Sequence, residues 1–191
     1  MNTLRQSGAA IRALITLTII LGVAYPLLMV ALGLLIPAKA NGSLQTLGGE
    51  VVGSSLIAQP AGGPEFFQPR PSAGDWDGES SGGFNLSPVS EDQKVLMEER
   101  RAELEAANPG AGPVPAEALT ASSSGLDPHI SPEYARWQVP RVAAARGMGE
   151  GDVEKLIEAH TDKALLGFFG QDTVNVNELN HSLESGTAIQ R

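Results

Sequence analysis

Residues 13–36 read ALITLTIILGVAYPLLMVALGLLI, 24 positions without a charge. At about 1.5 Å rise per residue a helix of that length covers roughly 36 Å, more than the ~30 Å hydrocarbon core of a bilayer. The run predicts a transmembrane helix. Pro26 would break a soluble helix, but a membrane helix tolerates it when neighbouring helices re-satisfy the freed carbonyl. Gly22, Tyr25 and Pro26 lie mid-span, so that side is expected to pack against protein. The rival reading is a cleaved signal peptide, because Ala38-Lys39-Ala40 resembles a cleavage site. Signal cores run only ~7–15 residues, so the length favours an uncleaved anchor.

Beyond the span the pattern breaks into short elements. Asn41 to Gly49 is polar and glycine-rich, an exit linker. VVGSSLIAQ (51–59) has strand character and reads as one strand or two short ones. Residues 60–89 carry Gly62-Gly63-Pro64, Pro69, Pro71, Gly74, Gly82-Gly83 and Pro88. This long irregular excursion contains Phe66, Phe67, Trp76 and Phe84, so it is expected to be ordered and packed down rather than loose. Residues 90–107 form the clearest helix, opened by Ser90 with Gln93 as a capping box and stopped by Asn108-Pro109-Gly110. Its apolar stripe is read as Val95, Leu96, Ala102 and Ala106, with charged, solvated faces elsewhere. Residues 111–121 look extended.

Ser131 caps a helix with Pro132 at its first position, and Pro140 kinks or splits that helix into 132–138 and 140–146. Val153, Leu156, Ile157 and His160 share one helix face, with His160 at the edge of a core. TVNV (173–176) suits a strand, and Asn177 is read as the cap of a final helix ELNHSL, after which the tail frays. The elements do not alternate as βαβ units. The fold class is a single N-terminal transmembrane helix followed by an α+β extramembrane domain with a small sheet and several short helices. The boundaries are an N-terminal tail 1–12, the span 13–36, a linker 37–49 and a soluble domain 50–191.

Charge sharpens the picture. Arg5 and Arg12 precede the span and Lys39 follows it, whereas residues 37–191 hold 11 Lys+Arg against 22 Asp+Glu. The basic bias before the span predicts a cytoplasmic N-terminus and an extracytoplasmic domain, in a single-pass protein of the cell's inner membrane. Residues 37–191, at net charge −11, repel phosphate backbones, so nucleic acid is not an expected partner. With no cysteine, thiolate metal sites and disulfides are excluded.

Candidate chemistry concentrates in SGLDPHISPEYARWQVPRVAAARG (124–147). Asp127, His129 and Ser131 alternate, so in an extended segment they share a face. Asp127-Pro128 also starts a turn and Ser131 caps a helix, which leaves His129 over. Tyr134, Arg136, Trp137 and Arg141 have the composition of a protein-binding hot spot, or of a fixed core corner. With Asp127 and His129 they form the candidate partner interface. A phosphate-binding loop is absent, as the chain has no Gly-Lys pair, and no paired-histidine spacing suggests a metal site. No catalytic set is expected.

Several of these segments together resemble one family. GSSLIAQ (53–59), FFQPRPS (66–72), SGGFNLSP (81–88), TASSSGLDPHISPEYARWQVPRVAAARG (120–147) and VNVNELN (174–180), behind a single membrane helix, are similar to the C subunit of the bacterial Kdp high-affinity potassium-transporting ATPase. Phe84 stands where the family usually has a small residue, and Ala58 where glycine is common. The resemblance implies an accessory subunit with no cofactor of its own, ATP and K⁺ being handled by the complex. Its implied partners are a channel-like potassium-conducting subunit, a P-type ATPase subunit and a very small fourth subunit. The ATPase phosphorylation motif DKTGT is lacking; Asp162-Lys163-Ala164 is the nearest match. The family is also described as a catalytic chaperone that raises the ATP affinity of its ATPase partner. That role conflicts with an extracytoplasmic domain, and the alternative is a structural cap on the potassium-conducting subunit without nucleotide contact.

Overall fold

The computed structural model describes residues 3–186. It divides at Ser43/Leu44 into two units. In the first, α1 (Thr3–Ile19) and α2 (Tyr25–Gly33) form one apolar helical rod of 31 residues, starting earlier than the uncharged run. Between them Ile20–Ala24 is a π-turn, closed by the Tyr25 N–H donating to Ile20 O. The cause is Pro26, which has no amide donor and whose ring crowds the carbonyl one turn back. Widening the turn by one residue relieves that clash without breaking the rod. No residue of α1 or α2 is buried by the chain itself. A short helix, α3 (Pro37–Ala40), follows.

The second unit opens with a hairpin. β1 (Leu44–Leu47) pairs antiparallel with β2 (Glu50–Ser54). Gly48 and Gly49, at φ +61° and +92°, supply the left-handed pair that a two-residue hairpin turn requires. The segment read as a linker therefore holds a strand, and the domain starts at Leu44. Residues 55–90 carry no regular element, yet Phe67 is fully buried, in line with an ordered excursion.

α4 (Glu91–Ala107) starts where Ser90 Oγ accepts the Gln93 N–H at 3.2 Å. Its inner face is not the one read from sequence. Met97 and Leu104 pack on the core, while Val95 is 54% exposed and Ala102 and Ala106 face water. In a charge-rich helix the small alanines gave a false stripe, and the methionine at i with leucine at i+7 is what the core selects. Residues 111–121, expected to be extended, contain a helical turn, α5 (Ala116–Leu119), whose Ala118 and Leu119 are buried.

β3 (His129–Ile130) leads into α6 (Pro132–Trp137), and Pro140 splits off α7 (Val139–Arg146), as its missing donor predicts. α8 (Glu150–Ala159) buries Val153, Leu156 and Ile157. β4 (Thr161–Asp162), β5 (Thr173–Asn175) and α9 (Val176–Ser185) complete the unit. The three short strands form an antiparallel sheet in the order β3-β5-β4. Asn175, not Asn177, caps α9: its side chain accepts the Glu178 N–H at 3.1 Å. The tail expected to fray falls, from residue 187 on, outside the described residues. The core gathers Phe67, Leu119, Ile130, Tyr134, Val142, Val153, Ile157, Val174 and Leu179 from nearly every element. The architecture is the expected small sheet with several short helices.

Candidate functional site

The 120–147 block does two kinds of work. Its first part is local. Asp127 Oδ1 accepts the His129 N–H at 3.0 Å and lies 3.2 Å from His129 Nδ1. The main chain of His129 pairs with Asn175 in the sheet. Ser131 Oγ accepts the Tyr134 N–H at 3.1 Å, capping α6, while the Ser131 N–H donates to the Glu117 carboxylate at 3.0 Å. The alternating acid, histidine and hydroxyl are thus a turn, a sheet partner and a cap. Among the described residues, no three His, Asp or Glu side chains group to hold a metal ion.

Its second part grips the irregular segment 64–70 by hydrogen bonds that imitate strand pairing. Gln138, only 1% exposed, accepts the Gln68 N–H with Oε1 at 2.8 Å and donates to Gln68 O with Nε2 at 3.1 Å. Asn180 on α9 treats Phe67 the same way, accepting its N–H at 2.8 Å and donating to its carbonyl at 2.9 Å. The Arg141 guanidinium donates to Pro64 O, to Phe66 O at 2.9 Å, to Asn108 Oδ1 at 2.8 Å and to Gln138 Oε1 at 2.7 Å. Arg146 donates to Glu65 O at 2.6 Å and lies 4.9 Å over the Phe66 ring. A segment with no strand of its own has its backbone groups satisfied from both sides, which is why a proline-rich stretch is held in place.

The other signature segments are held likewise. Asn175 donates to Ser55 O at 2.7 Å, and Asn177 donates to Ser54 O at 2.7 Å and Ile57 O at 2.6 Å. Ala58, almost fully buried, donates its N–H to Leu126 O at 2.9 Å. Arg70 donates to Thr120 O and Ala121 O, and the Gly82 N–H donates to Ser124 O at 2.9 Å. Phe84 sits 4.8 Å from the Arg100 guanidinium, which gives the aromatic ring there a partner.

The candidate interface residues are divided by this arrangement. Tyr134 is 1% and Trp137 8% exposed, their rings 6.2 Å apart, and Trp137 Nε1 donates to Gly112 O at 3.2 Å. These two form a core corner rather than a presented surface, because α6 turns its aromatic side inward against α8 and β5. Arg141 is committed to the loop it clamps. Arg136 is exposed, and the Asp127 and His129 side chains are each 40% exposed, so these three reach solvent. Gly22, Tyr25 and Pro26 all lie at the π-turn of the helical rod.

Above Tyr134 lies a cavity of about 560 Å³, walled by Pro64, Pro69 and Trp76 on one side and Arg100 and Leu104 of α4 on the other. Among the described residues the Tyr134 hydroxyl has no hydrogen-bond partner. Burial pushes its pKa well up, against the opposing pull of Arg141, so the phenol is neutral. Burial likewise lowers the pKa of Arg141, opposed by Tyr134 and Glu65. Sequence reasoning missed Gln138, Arg146, Asn175 and Asn180 as clamps. A buried amide or guanidinium needs a hydrogen-bond partner, but residue type alone does not say which of them the fold covers.

Comparison with known proteins matches nearly the whole chain. The family model described as K⁺-transporting ATPase, c chain, matches residues 7–185. A potassium-transporting ATPase KdpC subunit from Kineococcus radiotolerans is 51% identical over 188 residues, covering 96% of this chain and 95% of that protein. The KdpC subunit of Cereibacter sphaeroides strain ATCC 17029 is 46% identical over 180 residues, covering 94% and 96%. That of Rhodopseudomonas palustris strain TIE-1 is 43% identical over 197 aligned positions. The chain carrying these clamped segments behind one apolar helix belongs to the KdpC family, the c chain of K⁺-transporting ATPases.

Proposed function

We propose that the chain is a non-catalytic subunit that assembles and stabilises an ATP-driven potassium uptake complex, with its domain outside the cytoplasm as a cap on the potassium-conducting subunit. The observation that carries this is the use of the signature residues. Gln138, Arg141, Arg146, Asn175, Asn177 and Asn180 all hold main-chain groups of the same domain, so the signature specifies a rigid shape. Rigid shape is what a structural cap contributes, since a preorganised surface loses little entropy on docking. Six exposed acids on α4 support a second effect, a raised local concentration of cations at the potassium entrance.

The rod of α1 and α2 buries nothing within the chain, and Pro26, which has no amide hydrogen to give the turn before it, leaves a carbonyl there for a neighbouring helix to satisfy. Gly22, Tyr25 and Pro26 are the proposed contact with the channel-like subunit, the ATPase subunit or the small fourth subunit. Arg5 and Arg12 before the span support a cytoplasmic N-terminus in the inner membrane.

The test is removal of residues 44–191 with the helical rod kept. Potassium uptake at low external K⁺ should fall and the tagged rod should recover less of the other subunits. Unchanged uptake would overturn the cap. The chaperone role is separated by calorimetry of the intact chain with ATP: the cap predicts no binding heat, and saturable heat would favour a nucleotide-contacting modulator.

A further inference from the structure

Between β4 and β5 the chain projects a loop without a charge, ALLGFFGQ (164–171). Leu165, Leu166, Phe168 and Phe169 are 70%, 77%, 71% and 61% exposed. An ordered turn holds them there. Leu165 and Phe169 exchange two backbone hydrogen bonds of 2.9 Å, and the two phenyl rings lie 4.7 Å apart. The base is pinned by Asp172, which accepts the Ala164 N–H and the Lys163 ammonium, each at 2.9 Å. Four large apolar side chains on one preformed tip are more than scattered surface exposure, and such a patch marks a contact.

Two neighbouring residues of α9 join the base of this loop to the strand by which the chain enters the domain. His181 Nε2 lies 2.9 Å from Thr46 O of β1, the strand by which the chain arrives. Ser182 Oγ lies 2.7 Å from Nε2 of His160, the residue that precedes β4 and the tip. The arriving hairpin is itself apolar on its exposed side, with Leu44 57% and Val51 60% exposed. Only eight residue steps separate Ile36, the last apolar residue of the span, from Leu44. Even fully extended they reach less than ~30 Å.

We propose that the 165–169 tip inserts into the headgroup–acyl boundary of the membrane that the helical rod spans, fixing the domain against the lipid surface. A convex, uncharged wedge suits a fluid interface, which yields to its shape, whereas a protein would have to offer a matching pocket. The attraction is apolar, not electrostatic, because a domain of net charge −12 is repelled by anionic lipid. Insertion reaches roughly 5–10 Å into the headgroup–acyl boundary, enough for the four side chains of the tip.

This rests on the membrane-anchored reading of the rod, and the test separates the two. The chain has no cysteine, so Phe168→Cys, Leu28→Cys and Glu99→Cys each give one labelling site for a nitroxide. The full chain is reconstituted into phosphatidylcholine vesicles, and collisions of the label with oxygen and with an aqueous nickel chelate are measured. Labels at residues 168 and 28 should favour oxygen and lose most nickel collisions; the label at 99 should do the reverse. A water-exposed label at 28 would overturn the anchor and this proposal with it. A label at 28 in lipid, with the one at 168 as nickel-accessible as that at 99, would overturn insertion alone. In the assembled complex, shielding of residue 168 from both reagents would place the tip in a protein and overturn the lipid assignment. Leu166→Cys repeats the measurement if Phe168→Cys disturbs the turn.

Discussion

Replacing Arg141 by methionine should unfasten the 64–68 segment without leaving a hole. The aliphatic stem and volume are nearly kept, so the loss isolates the four hydrogen bonds to Pro64 O, Phe66 O, Asn108 and Gln138. Bonds from a charged donor contribute about 1.5–3 kcal/mol each, and two of these acceptors are main-chain carbonyls with few alternatives. Water in the adjacent cavity re-pairs part of what is lost. The net cost is therefore roughly 3 kcal/mol, at the low end of the range for breaking a buried charged network. Urea unfolding of the full chain in detergent micelles, followed by tryptophan emission from buried Trp137, reads the total. Limited proteolysis reads the location, with new cuts expected in residues 60–77. Arg141→Lys keeps the charge but not the planar fork and should recover less than half of the loss. A cost below about 1 kcal/mol, or a full cost with no new cleavage in that segment, would refute the clamp.

Other expectations follow from single residues. Tyr134→Phe should change stability by less than about 0.5 kcal/mol, because the hydroxyl faces the cavity without a partner; a loss above ~1 kcal/mol in the same urea assay would show that it is bonded. Gly125→Ala should cost roughly 1–3 kcal/mol, since φ is +69° and the new Cβ would lie 2.9 Å from Gly82 O, while Gly78→Ala, in open space, serves as a neutral control. The Asp172 carboxylate is held below its ordinary pKa by the Ala164 N–H and then by Lys163. Its grip on the tip is therefore present above the ordinary aspartate range and lost as pH falls through the lowered value. Amide exchange at Ala164, corrected for intrinsic rates, should rise in that acid window, and Asp172→Asn should abolish the pH dependence.

Much was legible because it rests on local rules. The uncharged run, the Ser90 and Ser131 caps and the break at Pro140 each follow from a residue and its immediate neighbours. The errors share a cause as well. The alanines of α4 mimic an apolar stripe, but the helix turns Met97 and Leu104 inward because those side chains fill the space over the core. Asn177 and Asn175 sit two apart in one motif, and either would serve as a cap. The choice fell to Asn175 because Asn177 reaches across to Ser54 and Ile57. Tyr134, Trp137 and Arg141 read equally well as a surface or as a corner, and side-chain type does not say which way a helix faces.

The sequence by itself determined the membrane rod, the acidic charge of the domain, the family and most element boundaries. Those depend on hydrophobic length, net charge and short-range backbone preferences, all of which are written along the chain. The tertiary structure decided what the motifs are for. Gln138 lies 70 positions from Gln68 and Asn180 lies 113 from Phe67, and their pairing exists only once helices and irregular segment are packed together. Packing also decided which apolar residues stay outside: the core closes without Leu165, Leu166, Phe168 and Phe169, and leaves them on a turn that faces outward.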